Sequence, residues 1–246
     1  KKVFISESKR RDWGMTGDVI LPGIDVNDYG GYRGDNPSAL RVGNLIKERD
    51  LMMGFTASEL ILSGLPSVTL GLNPNIFESR ISSGFDDLLD HYRSLRVYLH
   101  TTVNDYEDGY NLSLLEAMAV GMPVISIANK TSPIINGING YISGDIQYLR
   151  TCAVRLLDDP ILANSLGQKA RKTVRENFSQ IKFLQLWVKS IEEAIIEFLE
   201  RSQKKLSKKD IELNAQPENT SMPQYFQNIR DDIVSLVPED ANDILE

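Results

Sequence analysis

Short, continuously apolar runs alternate with helix-like segments between residues 39 and 145, and this alternation constrains the fold more than any other feature of the sequence. The runs are apolar at successive positions rather than at every second one, which is typical of parallel strands covered on both faces. Strands are predicted within residues 39–45, 67–74, 96–102, 123–128 and 141–143. The expected architecture is therefore an α/β fold with a doubly wound, Rossmann-like parallel sheet.

Helical spacing of apolar residues predicts helices between the strands and after them. The predicted helices are residues 46–65, 85–95, 113–120, 145–159, 160–177 and 180–202. The last helix carries an apolar stripe, which predicts that it packs against a core or a neighbouring domain. The stripe consists of Trp187, Ile191, Ala194, Ile195 and Phe198.

The composition excludes several classes of function. The net charge of −7 argues against a general binder of nucleic acid or of membrane surfaces, since both are anionic. No apolar run reaches the roughly 18 residues that a membrane span needs. One cysteine, Cys152, and two histidines are too few for an internal disulfide or a zinc cluster. We therefore expect a cytoplasmic protein that uses no transition metal.

The composition changes after residue 201. Residues 202–221 are polar, contain a cluster of lysines and are interpreted as a linker. Residues 222–246 regain helical periodicity and then resemble the start of a strand, so they are interpreted as the truncated start of a following domain or as a docking helix. The chain also has no initiator Met, and we interpret it as part of a longer protein.

The stretch from Asp108 to Ser126 carries the candidate chemistry. In a doubly wound sheet, ligands bind at the carboxyl ends of the strands, where loops lead into helix N-termini. Glu116 lies early in a predicted helix, where its carboxylate could accept two ribose hydroxyls or simply favour the helix dipole, and the residues alone leave both readings open. The backbone N–H groups of the first turn suit a diphosphate, and Ser113 is suited to cap the helix. These N–H groups belong to Asn111, Leu112 and Ser113.

The same stretch, DGYNLSLLEAMAVGMPVI, resembles the donor-site motif of the retaining GT-B-type glycosyltransferases of family four, the glycosyl transferases group 1. That motif is Glu, seven residues and Glu-Ala-Met-Ala, followed by Gly-x-Pro-Val-Ile. The resemblance extends through VILPGIDV, ALRVGNLIKER, INGINGYIS and the helical segment LLDDPILANSLGQKARKTVRENFS, and it covers roughly residues 1–200.

The resemblance implies a role for several residues. Glu116 matches the acid that holds the nucleotide ribose, and Asp108 stands in place of the Glu that contacts the donor sugar. Arg49 falls at the position of the Lys that binds the diphosphate, and a guanidinium can also clamp phosphate. Asp108, Glu116 and Arg49 are thus the expected catalytic residues. Gly43 and Asn44 match the family's Gly-Arg pair, and Asn44 departs from it by lacking the positive charge.

A GT-B enzyme has two doubly wound domains, and the resemblance places this chain in the donor-binding, C-terminal half. Residues 1–20 are then a remnant of the N-terminal domain, and residues 21–201 are the nucleotide-sugar-binding domain. The implied partners are a nucleotide-diphosphate sugar, a saccharide or glycoconjugate acceptor and the N-terminal domain. The implied reaction is retaining transfer of a hexosyl-type sugar in polysaccharide or glycoconjugate synthesis. Neither a metal nor a cofactor is expected, and the isolated fragment is expected to be inactive.

Other readings stay open at this stage. One is a degenerate GT-B-like scaffold, marked by Asn44 and Asp108, and another is a sugar-nucleotide epimerase, which two histidines fit poorly. The tail resembles the start of a class I S-adenosylmethionine-dependent methyltransferase, without its glycine-rich loop. His100 ends a predicted strand and is either a structural histidine or a ligand contact. In the intact protein, peripheral association with the inner membrane is an alternative to a fully cytoplasmic location.

Overall fold

Five parallel strands form the central sheet of the computed structural model, which describes residues 1–106 and 109–213, with side chains to residue 204. The sheet order is β4-β3-β5-β6-β7, and every pair of neighbours is parallel. Chain order reverses between β3 and β5, which is the topological switch point where α/β sheets bind ligands. The predicted doubly wound α/β fold is confirmed. The strands are β1 (Val3–Phe4), β2 (Asp18–Val19), β3 (Asn36–Val42), β4 (Ser67–Leu70), β5 (Leu95–His100), β6 (Val124–Ile127) and β7 (Gly140–Ser143).

Helices cover both faces of the sheet and bury two apolar layers. One layer lies against α4, α5 and α7, and the other against α3 and α6, with α7 contributing to both. The inner strands β3, β5 and β6 read as continuous apolar runs because they contribute side chains to both layers. The helices are α1 (Glu7–Asp12), α2 (Asp50–Met53), α3 (Phe55–Leu62), α4 (Phe85–Ser94), α5 (Leu112–Val120), α6 (Ile146–Asp158), α7 (Pro160–Asn177) and α8 (Gln180–Leu213).

The single helix predicted for residues 46–65 is wrong, because Gly54 divides it into α2 and α3. Gly54 has the left-handed φ of 63°, and a Cβ there would lie 2.3 Å from the Thr101 carbonyl oxygen. Only glycine tolerates both the conformation and this approach of the backbone. The apolar spacing of the segment predicted one helix. The break depends on a tertiary contact with Thr101, which the spacing of apolar residues cannot indicate.

The N-terminal residues and the last helix lie outside the central sheet. β1 and β2 form a separate two-stranded parallel sheet. Contacts divide the chain into two units, residues 1–194 and 195–246. Residues 202–213, interpreted as linker from their composition, continue α8, and the remainder of that segment and residues 222–246 lie outside the described residues. No helix in the described ranges combines the length and apolar character that a membrane crossing requires.

The first part of the predicted α8 stripe is partly exposed. Trp187 is 37% exposed and Ile191 52%. What the rest of the stripe packs against stays a prediction.

Gly167 of α7 allows that helix to pack directly on the end of α5. A Cβ at Gly167 would lie 1.8 Å from the carbonyl oxygen of Gly121, the residue that ends α5. We expect Gly167→Ala to lower the free energy of unfolding by about 1–3 kcal/mol, because two backbones must separate, which outweighs the better helix propensity of alanine. Gly144→Ala is the control, since no atom lies within 4 Å of the position that its Cβ would take. Equal denaturant midpoints for both variants would contradict this packing.

Candidate functional site

The loops that follow β3 and β4 are joined to each other by reciprocal hydrogen bonds. Leu72 N donates to Asn44 Oδ1 (2.8 Å), and Leu45 N donates to Leu72 O (2.8 Å). A Cβ at Gly71 would lie 2.1 Å from the Gly43 carbonyl oxygen, so glycine is needed for this approach. Gly43 and Asn44, both predicted ligand contacts, therefore shape the loop, and the amide nitrogen of Asn44 is the part of its side chain that stays available.

Asn73 locks the same two loops from the inside, and sequence reasoning did not single it out. Its side chain is 3% exposed, accepts from Ile46 N (2.8 Å) and donates to Gly43 O (2.8 Å). An asparagine in a loop gives no signal of this kind, because its partners lie about 30 positions away in the chain. The β3 loop is consequently held rigid by side-chain amides rather than by charges.

The loop after β5 meets the same region. Val103 N donates to Met52 O (2.9 Å), and Thr101 Oγ1 donates to Met53 O (2.7 Å). The loops that follow β3, β4 and β5 are thus connected to one another, in part by way of α2.

Arg49 stands at the start of α2 with an exposed side chain. Its Nη2 lies 2.8 Å from Met52 Sδ, and within the described residues it forms no ion pair. Lys47 instead turns towards Asn75 O (3.3 Å) and the Phe55 ring (5.9 Å). Of the two cations of this loop, Arg49 is the one whose charge stays available for an anion.

The N-terminus of α5 presents free donors. Asn111, and not Ser113 as expected, caps the helix, with its side chain accepting from Leu114 N (2.9 Å). The backbone N–H groups of Leu112 and Ser113 have no acceptor among the described residues. These two groups, at the positive end of the helix dipole, suit an anionic ligand.

Glu116 lies one turn further along α5 and is surrounded by phenols. Tyr92 Oη donates to Glu116 Oε2 (3.1 Å), and Tyr29 lies near enough to influence the pKa of this carboxylate. Burial raises the pKa of Glu116, while Tyr92 and Tyr29 act in the opposite direction. Burial and the nearby Glu116 charge raise the pKa of Tyr29 to about 12, so Tyr29 is a neutral donor.

The Glu116 cluster adjoins the end of β3. Burial raises the pKa of Tyr98, and hydrogen bonds with Ser113 and the Val42 backbone act against the shift. Tyr98 of β5 therefore connects the first turn of α5 with the last residue of β3. The structure thereby brings three of the predicted site residues to the switch point of the sheet, namely Glu116, Ser113 and Gly43. Arg49 has no hydrogen bond to α5 within the described residues.

An open cleft of about 740 Å³ borders the same end of α5. Asn111, Leu112 and Ser113 form its polar side, and Ile20 and Trp187 belong to its apolar side. Asp108, the remaining predicted catalytic residue, lies outside the described residues. In the ranges that the structure describes, no three His, Cys, Asp or Glu side chains group together as metal ligands would.

His100 ends β5 beside this site and is 7% exposed. Its Nδ1 lies 3.1 Å from Ser126 Oγ, whereas its Nε2 has no hydrogen-bond partner among the described residues. Burial lowers the pKa of His100 to about 4, so the imidazole is neutral near pH 7. A buried nitrogen without a partner is uncommon in a folded protein and requires an explanation.

The loop after β6 closes over the loop after β5. Asn129 Nδ2 donates to Thr102 O (3.2 Å), and Thr131 Oγ1 donates to Gly109 O (2.7 Å). Lys130 N donates to Asn104 Oδ1 (2.9 Å). These bonds fix the approach of the chain to α5.

Comparison with known proteins agrees with this geometry. Residues 52–159, which include α5 and most of the sheet, match the family model "Glycosyl transferases group 1". Over these residues the chain is similar to the group 1 glycosyl transferases. The capsular polysaccharide biosynthesis glycosyltransferase CapM of Staphylococcus aureus is 25% identical over 133 residues, 52% of this chain and 33% of CapM. The N-acetyl-alpha-D-glucosaminyl L-malate synthase of Bacillus anthracis is 34% identical over 82 residues, 32% of this chain and 22% of the synthase.

Solved glycosyltransferases share the fold of this chain. TarM of S. aureus superposes with a TM-score of 0.61 at 18% identity, over 76% of this chain and 43% of TarM. HepE of Anabaena, solved with UDP and glucose, gives a TM-score of 0.63 at 14% identity, over 77% of this chain and 62% of HepE. The chain thus spans a third or less of the curated relatives and about two fifths of TarM.

The buried neutral histidine gives the domain a specific dependence on pH. The folded pKa of about 4 lies below the usual 6.5, so the unfolded state binds the proton more tightly, and stability is lost as pH falls from about 7 to 4. The loss due to His100 is expected to reach about 3 kcal/mol at pH 4. We expect His100→Gln to remove this component, measured as the difference in urea-unfolding free energy between variant and parent at each pH. A difference that stays constant with pH would refute a neutral, buried His100.

Proposed function

We propose that this domain binds a nucleotide-diphosphate sugar and supplies the donor half of a retaining glycosyltransferase for polysaccharide or glycoconjugate synthesis. The observation that carries the proposal is the arrangement at the N-terminus of α5. Two backbone N–H groups without acceptors among the described residues, on Leu112 and Ser113, stand one turn from the half-buried Glu116 carboxylate at the sheet's switch point. The two N–H groups suit a diphosphate, and the carboxylate suits a pair of adjacent sugar hydroxyls.

The ribose is assigned to Glu116. A carboxylate offers about four lone-pair sites, and the phenol of Tyr92 occupies one of them. The sites that remain can accept from the adjacent 2′- and 3′-hydroxyls of a ribose. Hydrogen bonds from these hydroxyls would also stabilise the charged carboxylate, which burial alone disfavours.

The diphosphate is assigned to the first turn of α5 and to Arg49. The free N–H groups and the helix dipole stabilise negative charge. This stabilisation is greatest for the additional negative charge that develops on the diphosphate as it leaves. Arg49 has no ion pair within the described residues and can add a bidentate contact. Gly43 and Asn44 form the opposite wall, where the Asn44 amide can donate to a phosphate oxygen.

Transfer would proceed with retention at the anomeric carbon and without a metal, since backbone donors and Arg49 supply the electrostatic stabilisation. Asp108 is assigned to hydroxyls of the donor sugar. The acceptor, a saccharide or glycoconjugate, would be held by an N-terminal GT-B domain. The donor would bind within residues 21–201, and the reaction would take place in the cytoplasm. The role of CapM in capsular polysaccharide biosynthesis and the UDP-glucose complex of HepE support this choice of reaction class.

The decisive test is calorimetric titration of the chain with UDP-, GDP- and ADP-sugars. We expect saturable binding of one nucleotide and a loss of about 1.5–3 kcal/mol of binding free energy in Glu116→Ala, because a charged hydrogen-bond acceptor is removed. Glu176→Ala is the matched control, since Glu176 is an exposed acid that pairs with Lys172 on its own helix. Unchanged affinity in Glu116→Ala, in a variant that still unfolds cooperatively, would refute the ribose assignment.

A second candidate is a non-catalytic binding module, favoured by the engagement of Asn44 in the loop lock. Asn44→Arg separates the two functions. If the donor site is active, the parent binds a nucleotide sugar and Asn44→Arg binds it more tightly, with the gain decreasing at high salt as expected for an added surface charge. Titrations at two ionic strengths measure this. Binding that appears only in Asn44→Arg would instead identify a degenerate site.

A further inference from the structure

His100 is the buried polar side chain that the proposed donor site leaves unexplained. It belongs to β5, whose carboxyl end faces the site, and its Nε2 has no partner among the described residues. His100 also lines a small enclosed void of about 10 Å³. Such a void holds one water-sized group, so the unpartnered nitrogen and the space for a partner occur together.

The hydrogen-bond pattern around Ser126 indicates which ring nitrogen carries the proton. Ser126 Oγ lies 2.9 Å from Ile127 O and 3.1 Å from His100 Nδ1. A carbonyl oxygen can only accept, so the single hydroxyl proton of Ser126 is directed to Ile127 O, and Nδ1–H donates to Ser126 Oγ. The Nε2 atom of the neutral ring is therefore an acceptor with a free lone pair.

The surroundings of the void restrict what the acceptor can bind. A lone pair on a neutral ring repels phosphate oxygens, so a diphosphate is excluded and a hydroxyl or N–H donor fits. The void is lined by Gly109 and Asn111, which lead directly into the α5 N-terminus, and by Thr131, which bonds to Gly109. If the diphosphate lies on the first turn of α5, the group attached to it, the transferred sugar, comes next to this void.

We propose that His100 Nε2 accepts a hydrogen bond from a hydroxyl of the transferred sugar and thereby contributes to the choice of donor sugar. The inference rests on the proposed donor-binding function and deepens it. A buried acceptor selects for a ligand that satisfies it, because an analogue without the hydroxyl leaves the nitrogen unpaired. His100 is thus a specificity residue on a rigid strand, placed beneath the loop that contacts the sugar.

The test follows the imidazole nitrogens of the ¹⁵N-labelled chain by NMR, with His91→Gln to assign the two histidines. The probes are UDP, GDP and ADP, each compared with UDP-glucose, GDP-mannose and ADP-glucose. We expect the diphosphate alone to leave the His100 Nε2 resonance unchanged, and the matching nucleotide sugar to shift it towards the position of a hydrogen-bonded acceptor. This readout needs no substitution at His100.

Binding measurements on variants provide the second arm. His100→Leu should weaken nucleotide-sugar binding roughly tenfold and leave the diphosphate affinity unchanged, because only the sugar contact is lost. His100→Gln, which keeps an acceptor, should recover part of the affinity.

The outcomes separate the two proposals. Binding of a diphosphate without any sugar-dependent shift of Nε2 would overturn the role of His100 and leave the donor-site proposal standing. A resonance that already has a hydrogen-bonded position in the free chain, and does not move with any nucleotide sugar, would identify a bound water as the partner and equally overturn the inference. Absence of binding by every nucleotide would overturn the proposed function itself.

Discussion

The burial of α5 from Leu114 onward is the constraint on which the candidate site depends. Its apolar side chains from Leu114 to Val120 are at most 1% exposed, and Glu116 is the polar exception among them. A helix that is apolar on nearly every side cannot rotate or slide without opening the core. The contact between Gly121 and Gly167 also fixes its distance from α7. Glu116 is therefore positioned by packing, with phenols rather than a cation as its partners.

The loops around this helix satisfy most of their polar groups internally, and this makes the exceptions informative. Asn73 and Thr131 tie neighbouring loops together, as Asn44 does on the β3 side. Among the groups left over in the described chain are the first N–H groups of α5, part of the Glu116 carboxylate, the Asn44 amide nitrogen, the Arg49 charge and His100 Nε2. Native proteins rarely leave a buried polar group such as His100 Nε2 unpaired, so the concentration of these groups at one edge of the sheet supports the proposed ligand site.

The sequence predicted what depends on local pattern and missed what depends on distant partners. Strand positions and the fold class followed from apolar runs, since both faces of each strand are buried. The break at Gly54 depends on Thr101, and the cage around Glu116 depends on Tyr29, so neither is visible in local spacing. Residues 202–213 were interpreted as a linker because they are polar, and a polar helix resembles a linker in composition.

The distribution of charge resolves an apparent conflict between an acidic chain and an anionic ligand. The net charge is −7, yet the first turn of α5 contains no acidic residue and its cap is the neutral Asn111. In the proposed arrangement a carboxylate in that turn would face the diphosphate and repel it, whereas Glu116, one turn deeper, would meet hydroxyls. Arg49 adds positive charge on the neighbouring loop. The sign of the whole chain therefore does not determine which ligand this edge can hold.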